Sequence, residues 1–283
     1  SDVYKRQVVS SAADCRELAE QLWLKHEQLL KTPAKPTRLT PQALVAASEP
    51  ETWRQRYAAA LTRGIDLVNR DDLHKLVLAV RHRIVLADTF DPLPLLKRLR
   101  RQQAGSCRFL WQRHAGDAFF GASPERLLSL CTGWLRSDAL AGTAGQGDSG
   151  AQLLRSDKDR REHELVVETI TDQLRRNGLS PRRRRQPQLA RHGNLTHLHT
   201  PITAETQGQP VLTLAEQLHP TPAVAGLPRR EAMAWLRTLE PFERGSYAAP
   251  IGWIDSAGDA ELRVAIRCGC LLYTSDAADE DLR

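Results

Sequence analysis

Four short runs of strand-forming residues lie close together in the middle of the chain, and they restrict its possible folds more than any other feature. The runs are rich in aromatic and aliphatic residues, and they span 108–112, 118–122, 126–130 and 134–140. Turn-forming pairs at 116–117 and 132–133 separate two pairs of runs. Connections this short cannot contain a crossover helix, so neighbouring strands must run antiparallel. The sequence therefore predicts an antiparallel sheet.

Helical patterns flank these strands. Glu51–Val68 repeats large apolar residues every four positions, and Pro92–Arg101 is typical of a short basic helix. Ser156 followed by Asp159 resembles a capping box that opens a helix ending near Arg176. Pro228–Leu239 has proline in its first turn, a position that a helix tolerates. Further strands are predicted at 73–80, 195–202, 250–255 and 261–267, and a glycine-rich loop at 142–150. The order of elements indicates an α+β fold.

Composition limits the class of protein. With 283 residues and 41% hydrophobic content, the chain can form one large domain or two ordinary ones. It has no apolar run of about 18 residues or more, as a membrane span requires, and no secretory signal pattern. Its five cysteines lack the paired spacing of metal sites, which favours reduced thiols in the cytoplasm. The arginine run at 182–185 has no interleaved aromatic residues, so a solvated loop is favoured over a nucleic-acid site.

Both ends of the chain have an unusual coding property. Residues 1–7 can be encoded by TCAGATGTGTATAAGAGACAG, and residues 270–276 by TGTCTCTTATACACATCTGAC. Over their shared length these stretches are reverse complements, as expected if one sequencing adapter was read from both strands. We therefore expect 1–7 and 270–283 to be non-native, and 8–50 to be a helix-rich lead-in to a domain at 51–269.

Five segments, in this order and at these spacings, resemble the catalytic domain of the chorismate-utilising enzymes, closest to isochorismate synthase. They are Lys75-Leu76-Val77-Leu78-Ala79, Phe120-Gly121-Ala122-Ser123-Pro124-Glu125, Ala139-Leu140-Ala141-Gly142-Thr143, residues 158–166 and residues 219–228. Residues 244–247, 251–253 and 264–267 continue the pattern. The resemblance implies two stacked, largely antiparallel sheets with outer helices and an active site between the sheets.

The resemblance also implies a reaction. The family acts on chorismate, an enolpyruvyl dicarboxylate, and uses Mg²⁺ without an organic cofactor. The isochorismate synthase branch adds water at C2 of the ring and expels the hydroxyl at C4. Such a reaction needs a base on one side of the ring, an acid on the other and a divalent ion that holds the ring carboxylate.

Three residues match the family's catalytic and metal-binding positions. Lys75 matches the base that activates water, although its pattern alone is equally typical of an edge-strand lysine in solvent. Glu125 matches the acid that protonates the leaving hydroxyl. Glu162 matches a Mg²⁺ ligand, and it shares a helix face with Leu165, Val166 and Thr169, where an ion pair with an arginine is the alternative. One glutamate is not a complete site, and the family supplies further carboxylates after the position of Arg267.

Five residues match substrate-binding positions. Gly142 and Thr143 match a loop against the substrate ring and carboxylate, and His197 matches a histidine near the ring. Tyr247 and Arg267 match residues that bind the enolpyruvyl carboxylate, which arginine can grip with two hydrogen bonds. Without the resemblance, His197 would be read as structural and Arg267 as a surface residue.

Several alternatives stay open at this point. Salicylate synthases also carry the lysine, whereas anthranilate and aminodeoxychorismate synthases usually have glutamine at that position. Residues 223–228 look most like menaquinone-pathway isochorismate synthases, although a siderophore pathway is also compatible. An inactive paralogue and a basic RNA-binding module are the non-enzyme alternatives. We expect chorismate as the partner, and no nucleic acid, membrane or obligate protein partner. The resemblance implies that 51–269 is a chorismate-binding catalytic domain truncated at its C-terminal end. We therefore expect the chain as given to be an inactive fragment, because its metal site is incomplete.

Overall fold

A computed structural model describes residues 44–47, 50–86, 90–114, 117–145 and 150–272, together with Glu20 and Leu24. By its contacts the chain divides into Ser1–Thr40 and Pro41–Arg283. Most of the lead-in expected at 8–50 therefore lies outside the described residues.

The second unit has strands β1 Leu44–Ala47, β2 Lys75–Leu76, β3 Ile84–Leu86, β4 Cys107–His114, β5 Asp117–Ser123, β6 Arg126–Cys131, β7 Trp134–Ala144, β8 Arg182–Arg183, β9 Gln188–His192, β10 Leu195–Glu205, β11 Gly226–Leu227, β12 Pro250–Ile254, β13 Ala260–Val264 and β14 Cys268–Leu272. Its helices are α1 Pro50–Asn69, α2 Pro92–Gln102, α3 Gly150–Arg155, α4 Asp157–Arg176, α5 Val211–Leu218 and α6 Arg229–Leu239.

Two larger sheets organise the described residues. One has seven strands in the order β12-β13-β6-β7-β10-β8, with β9 also pairing with β10, and the other has the order β14-β5-β4. Adjacent strands in both sheets pair antiparallel. The predicted α+β class with antiparallel sheets is therefore confirmed, and the four central strand runs all form strands. The turn expected at Gly116 lies outside the described residues.

The main hydrophobic core joins the seven-stranded sheet to helices α4 and α5. Fully buried leucines of the sheet, such as Leu128 and Leu135, belong to one cluster with Val167 and Leu174 of α4. Helix α4 begins as the sequence predicted, because the Ser156 side chain accepts a hydrogen bond from the backbone N–H of Asp159. The residues of this helix that belong to the core begin at Val166, so Glu162 precedes them.

A smaller core fixes the position of Lys75. Leu67 of α1, Leu73 and Ala232 of α6 are buried together, and β2 pairs with β11 beside them. The strand expected at 73–80 is wrong in extent, since only Lys75–Leu76 is strand. The reason is that β11 offers only two residues for pairing. Beyond it, the N–H of Ala79 donates to the Glu240 side chain at 2.8 Å instead of to a strand.

The loop expected at Gly142–Gly150 is also wrong in part. Strand β7 continues through Gly142 and Thr143 to Ala144, and helix α3 begins at Gly150. Gly142 lies where the register with β10 shifts, and it has a φ of +70°. This bulge places its extra residue at positive φ, which glycine adopts at little cost. The glycine therefore bends the strand instead of ending it.

Strand β14 extends past the domain boundary expected at Gly269. It runs from Cys268 to Leu272 and pairs with β5 along its whole length. Backbone hydrogen bonds require no particular side chain, so apolar residues such as Leu271 can extend the sheet whatever their coding origin. None of the described helices is both long and apolar enough to cross a membrane.

Candidate active site

The expected base and the expected metal ligand are in direct contact. Lys75 Nζ lies 2.8 Å from Glu162 Oε1. The Lys75 side chain is 12% exposed and that of Glu162 is 38% exposed, so this lysine does not extend into solvent as the alternative reading required. The alternative considered for Glu162 was an ion pair with an arginine, and in the structure its ion pair is with Lys75.

A glycine on the neighbouring strand allows β2 to take this position. Gly226 pairs with Leu76, and a Cβ atom at Gly226 would lie 2.2 Å from the backbone oxygen of Lys75. Every other residue type would collide with that backbone. The Gly226 in the sequence motif therefore permits the approach of the two strands that carries Lys75 towards Glu162.

Glu125 is a buried carboxyl group next to this pair. It follows β5, its residue is 4% exposed, and it accepts a hydrogen bond of 2.7 Å from Thr221 Oγ1. Burial raises the pKa of Glu125 to about 7, against the opposing effects of the Thr221 hydrogen bond and the Lys75 charge. A carboxyl group that keeps its proton near neutral pH suits a general acid.

The loop between β5 and β6 is held rigidly around Glu125. Ser123 Oγ donates to the backbone oxygen of Val264 at 2.5 Å and accepts from the N–H of Glu125 at 3.2 Å. The backbone N–H of Val264 donates to the backbone oxygen of Glu125 at 3.1 Å. Because these bonds tie the loop to β13, they fix where the carboxyl group lies.

Gly142, Thr143, His197 and Arg267 form a second group. Arg267 Nη2 lies 2.9 Å from His197 Nε2, and His197 Nδ1 lies 3.2 Å from the Gly142 oxygen and 3.1 Å from Thr143 Oγ1. An arginine only donates hydrogen bonds, so Nε2 accepts and the ring proton is on Nδ1. Burial and then the Arg267 charge lower the pKa of His197, which agrees with a neutral ring.

Helix α4 lies beside both groups. A Cβ atom added to Gly142 would lie 3.5 Å from Cβ of Asp159, in the first turn of α4. Glu162, which holds Lys75, follows less than one turn later on the same helix. The N-terminal part of α4 is therefore the structural link between the acid–base residues and the histidine–arginine group.

Tyr247 lies beside Arg244. The Arg244 guanidinium is 5.6 Å from the centroid of its ring. Burial raises the pKa of the Tyr247 hydroxyl, the Arg244 charge opposes the rise, and Cys268, Glu240 and Glu125 add to it. The sequence expected Tyr247 and Arg267 to bind one carboxylate, whereas the structure joins Arg267 to His197 and places Tyr247 beside Arg244.

Sequence reasoning assigned no role to two residues that shape the site. Thr221 holds the Glu125 carboxyl group, and Arg244 bonds to Glu240 and to the backbone oxygens of Val77 and Val224. Both lie inside segments that carried the resemblance, at 219–228 and 244–247. Their position within those motifs could have indicated a role for both residues, but the sequence does not show which distant residues they contact.

The described residues do not by themselves make a magnesium site. Glu162 supplies carboxylate oxygen, which suits a hard cation, but Mg²⁺ prefers six oxygen ligands in octahedral geometry. Within the described part of the chain, no three histidine, cysteine, aspartate or glutamate side chains come together as a cation site. The chemistry of Glu162 fits the ion, whereas the number of ligands does not.

Comparisons with known proteins agree with the geometry. The family model described as chorismate binding enzyme matches residues 3–277. The salicylate biosynthesis isochorismate synthase of Pseudomonas aeruginosa is 36% identical over 251 residues, covering 86% of this chain and 52% of the relative. The isochorismate synthase MenF of Bacillus subtilis is 34% identical over 238 residues, covering 81% and 50%. The chain thus spans about half the length of these relatives.

A solved structure has the same fold. The menaquinone-specific isochorismate synthase MenF of Escherichia coli matches with a TM-score of 0.76 and 27% identity. The match covers 90% of this chain and 60% of that structure. The agreement therefore includes nearly all of the elements described above.

Proposed function

The chain belongs to the family of chorismate-binding enzymes, and from that premise we propose that it carries the catalytic core of an isochorismate synthase. The observation that supports this most strongly is the pairing of acid and base residues. Glu125 has a pKa raised to about 7, and the charge of Lys75 acts on it. A proton donor and a candidate proton acceptor thus lie in one site.

In the proposed reaction, Lys75 accepts a proton from a water molecule as the oxygen forms a bond to C2 of the ring. The ring double bonds shift, and the bond between C4 and its hydroxyl breaks. Glu125 donates its proton to the departing hydroxyl, which leaves as water. The substrate gains one hydroxyl and loses one, so the product is an isomer of chorismate and the reaction needs no oxidant.

The histidine–arginine group would bind the substrate. Arg267 offers a guanidinium group for a carboxylate, and His197 holds it in place through Nε2. Thr143 and the bulge at Gly142 would lie against the ring. Tyr247 would contribute a hydroxyl donor to the substrate.

We propose that Glu162 is one protein ligand of a Mg²⁺ ion, which would neutralise carboxylate charge on the substrate when bound. Calorimetric titration with MgCl₂ tests this assignment separately from turnover. Glu162→Gln should weaken Mg²⁺ binding at least about tenfold, equivalent to about 1.4 kcal/mol. Glu168→Gln on the exposed side of the same helix is the matched control and should leave binding unchanged. Equal affinity in both variants would exclude Glu162 as a ligand.

The activity is tested by product analysis. Because the relatives are about twice as long, two forms are compared: the chain as printed, and a chimera in which the Pseudomonas aeruginosa relative supplies the parts of its chain that lie outside the matched region. Each folded form is incubated with chorismate and Mg²⁺, and products are separated by chromatography and mass spectrometry. At least one form, called the active form below, should yield isochorismate. Failure of both to convert chorismate would refute the proposal.

The identity of the product distinguishes an isochorismate synthase from the related chorismate-utilising enzymes. With ammonium at high concentration, the active form should still make isochorismate and no anthranilate, because Lys75 stands where amine-forming enzymes usually have glutamine. Salicylate as the main product would instead assign the chain to the salicylate synthases. Anthranilate would show that Lys75 does not select water.

A further inference from the structure

A cleft of about 420 Å³ lies apart from the candidate active site. It is formed by helix α1, the segment 78–83 and the residues that follow α6. Aromatic side chains from Trp53, Tyr57 and Phe242 line it, whereas none of the eight candidate site residues does. Its volume falls in the range of about 300–1,000 Å³ that is typical of small-molecule sites.

The charge of this cleft is positive. Arg56, Arg81 and Arg83 line it, and Glu240 is the one acidic residue among its described lining residues. The Glu240 side chain is only 3% exposed and is bound to Arg244 at 2.6 Å. Its carboxylate is therefore already neutralised by a partner, and Arg56 and Arg81 make the potential that a ligand would experience positive.

The rings and the guanidinium groups are arranged side by side. The Arg81 guanidinium lies 5.3 Å from the centroid of the Phe242 ring. Trp53 and His82 meet edge to face with their centroids 4.7 Å apart. Aromatic walls favour a flat ring, and a guanidinium beside them can bind a carboxylate with two hydrogen bonds. A neutral aromatic molecule or a small aliphatic acid would use only half of these features.

We propose that this cleft is a second ligand site, which binds a small planar aromatic carboxylate, and that its occupancy affects the position of Lys75. The ligand is recognised by its ring on Trp53, Tyr57 or Phe242 and by its carboxylate on Arg56 and Arg81, Arg56 foremost because its residue is exposed.

The connection to Lys75 is short and made of hydrogen bonds. The segment that lines the cleft begins three residues after Lys75. The N–H of Ala79 donates to Glu240 at 2.8 Å, and Arg244 donates to the Val77 oxygen at 2.8 Å. A ligand that displaces this segment must therefore strain bonds that also hold β2. The effect on Lys75 rests on the proposed function, whereas the binding site itself does not.

Binding is tested by calorimetry with benzoate as the probe. Benzoate should bind, while benzamide, which lacks the charge, and acetate, which lacks the ring, should bind at least about tenfold more weakly. Arg56→Gln should weaken benzoate binding by a similar factor. Arg70 is exposed in the turn directly after helix α1, which carries Arg56. Arg70→Gln removes the same charge outside the cleft and should have no effect. Equal benzoate affinity in the Arg56 and Arg70 variants, or no binding to the parent chain, would overturn the proposal.

A second comparison distinguishes benzoate binding in this cleft from benzoate binding in the active site. Benzoate affinity should be unchanged in Arg267→Gln, whereas chorismate affinity should fall. If Arg267→Gln abolishes benzoate binding, the probe occupies the active site and the proposed second site is wrong. These measurements require no turnover, so they stand or fall independently of the proposed reaction.

Coupling to Lys75 is measured by amide hydrogen exchange. Benzoate should speed exchange at Val77 and Ala79 in the parent chain but not in Arg56→Gln, because it strains the hydrogen bonds of this segment, and it should change the turnover number of the active form. Unchanged exchange with benzoate bound would refute the coupling. A change in exchange without any conversion of chorismate would support the coupling and refute the proposed reaction instead.

Discussion

Lys75 Nζ lies 2.8 Å from Glu162 Oε1, so the proposed base and the proposed metal ligand bind each other directly. The two residues are 87 positions apart in sequence, and they are brought together by β2 on one side and by helix α4 on the other. A change at either residue leaves a partly buried charge without its partner, which is costly. Mutations at this pair therefore have to separate loss of chemistry from loss of the ion pair.

The first prediction uses arginine to make that separation. Arginine at position 75 keeps a positive charge that can pair with Glu162, but it cannot accept a proton. Lys75→Arg and Lys75→Ala should both lower the turnover number of the active form by about two to four orders of magnitude, the usual contribution of a general base. Chorismate affinity, measured by calorimetry, should stay within a few-fold in Lys75→Arg. Turnover near that of the parent enzyme in Lys75→Arg would show that Lys75 acts only as a charge.

The second prediction follows from the pKa of Glu125, which is raised to about 7. A general acid works only while it is protonated, so the turnover number should fall as pH rises through about 7. Glu125→Gln should be almost inactive at every pH and should lack this decline. The measurement is a turnover profile from about pH 5 to 9. A parent profile that is flat across this range would argue against Glu125 as the acid.

The same pKa predicts a dependence of stability on pH. Because the folded-state pKa is raised above the ordinary value of 4.5, the unfolded chain releases this proton first, and stability falls as pH rises from about 4.5 to 7. The full effect is roughly 3 kcal/mol. Glu125→Gln has no such proton, so it should be more stable than the parent at pH 8 and similar to it at pH 4. Urea unfolding at both values measures this, and an equal difference at both would contradict it.

A third residue, Thr221, should act on the reaction through Glu125. Its hydrogen bond to the Glu125 carboxylate lowers the pKa of that group. Thr221→Val keeps the size of the side chain but loses the bond, so the decline in turnover should move to higher pH. Thr221→Ser keeps the hydroxyl and should restore the parent profile. A reduced turnover with an unshifted profile in Thr221→Val would mean that Thr221 only supports the packing.

Local signals predicted local structure well. The cap at Ser156 and the end of helix α4 at Arg176 were both readable, because capping and helix length depend on neighbouring residues. The extent of β2 was not readable. A strand needs a partner, and its partner β11 has only two residues at positions 226–227.

In the candidate site, too, some features could be predicted from the sequence and others could not. Lys75, Glu125 and Glu162 were singled out through the family resemblance, and the structure brings them together. Their arrangement depends on contacts between distant segments, such as Thr221 with Glu125, and no periodicity records such contacts. Gly142 was misread because a glycine at positive φ is as typical of a loop as it is of this kind of bulge. Only the register with β10 distinguishes the two.

The last prediction tests whether the bulge at Gly142 shapes the substrate site. Gly142 has a φ of +70°, and Gly208, in an exposed turn with open space around it, has a φ of +89°. Alanine at either position is strained by its backbone conformation, and each substitution should destabilise the fold by about 1–2 kcal/mol. Urea unfolding should therefore give similar losses. Chorismate affinity should fall only in Gly142→Ala, because the bulge sets the contact of Thr143 with His197 at 3.1 Å. If the two variants bind chorismate equally well, Gly142 has no role in the substrate site beyond its effect on stability.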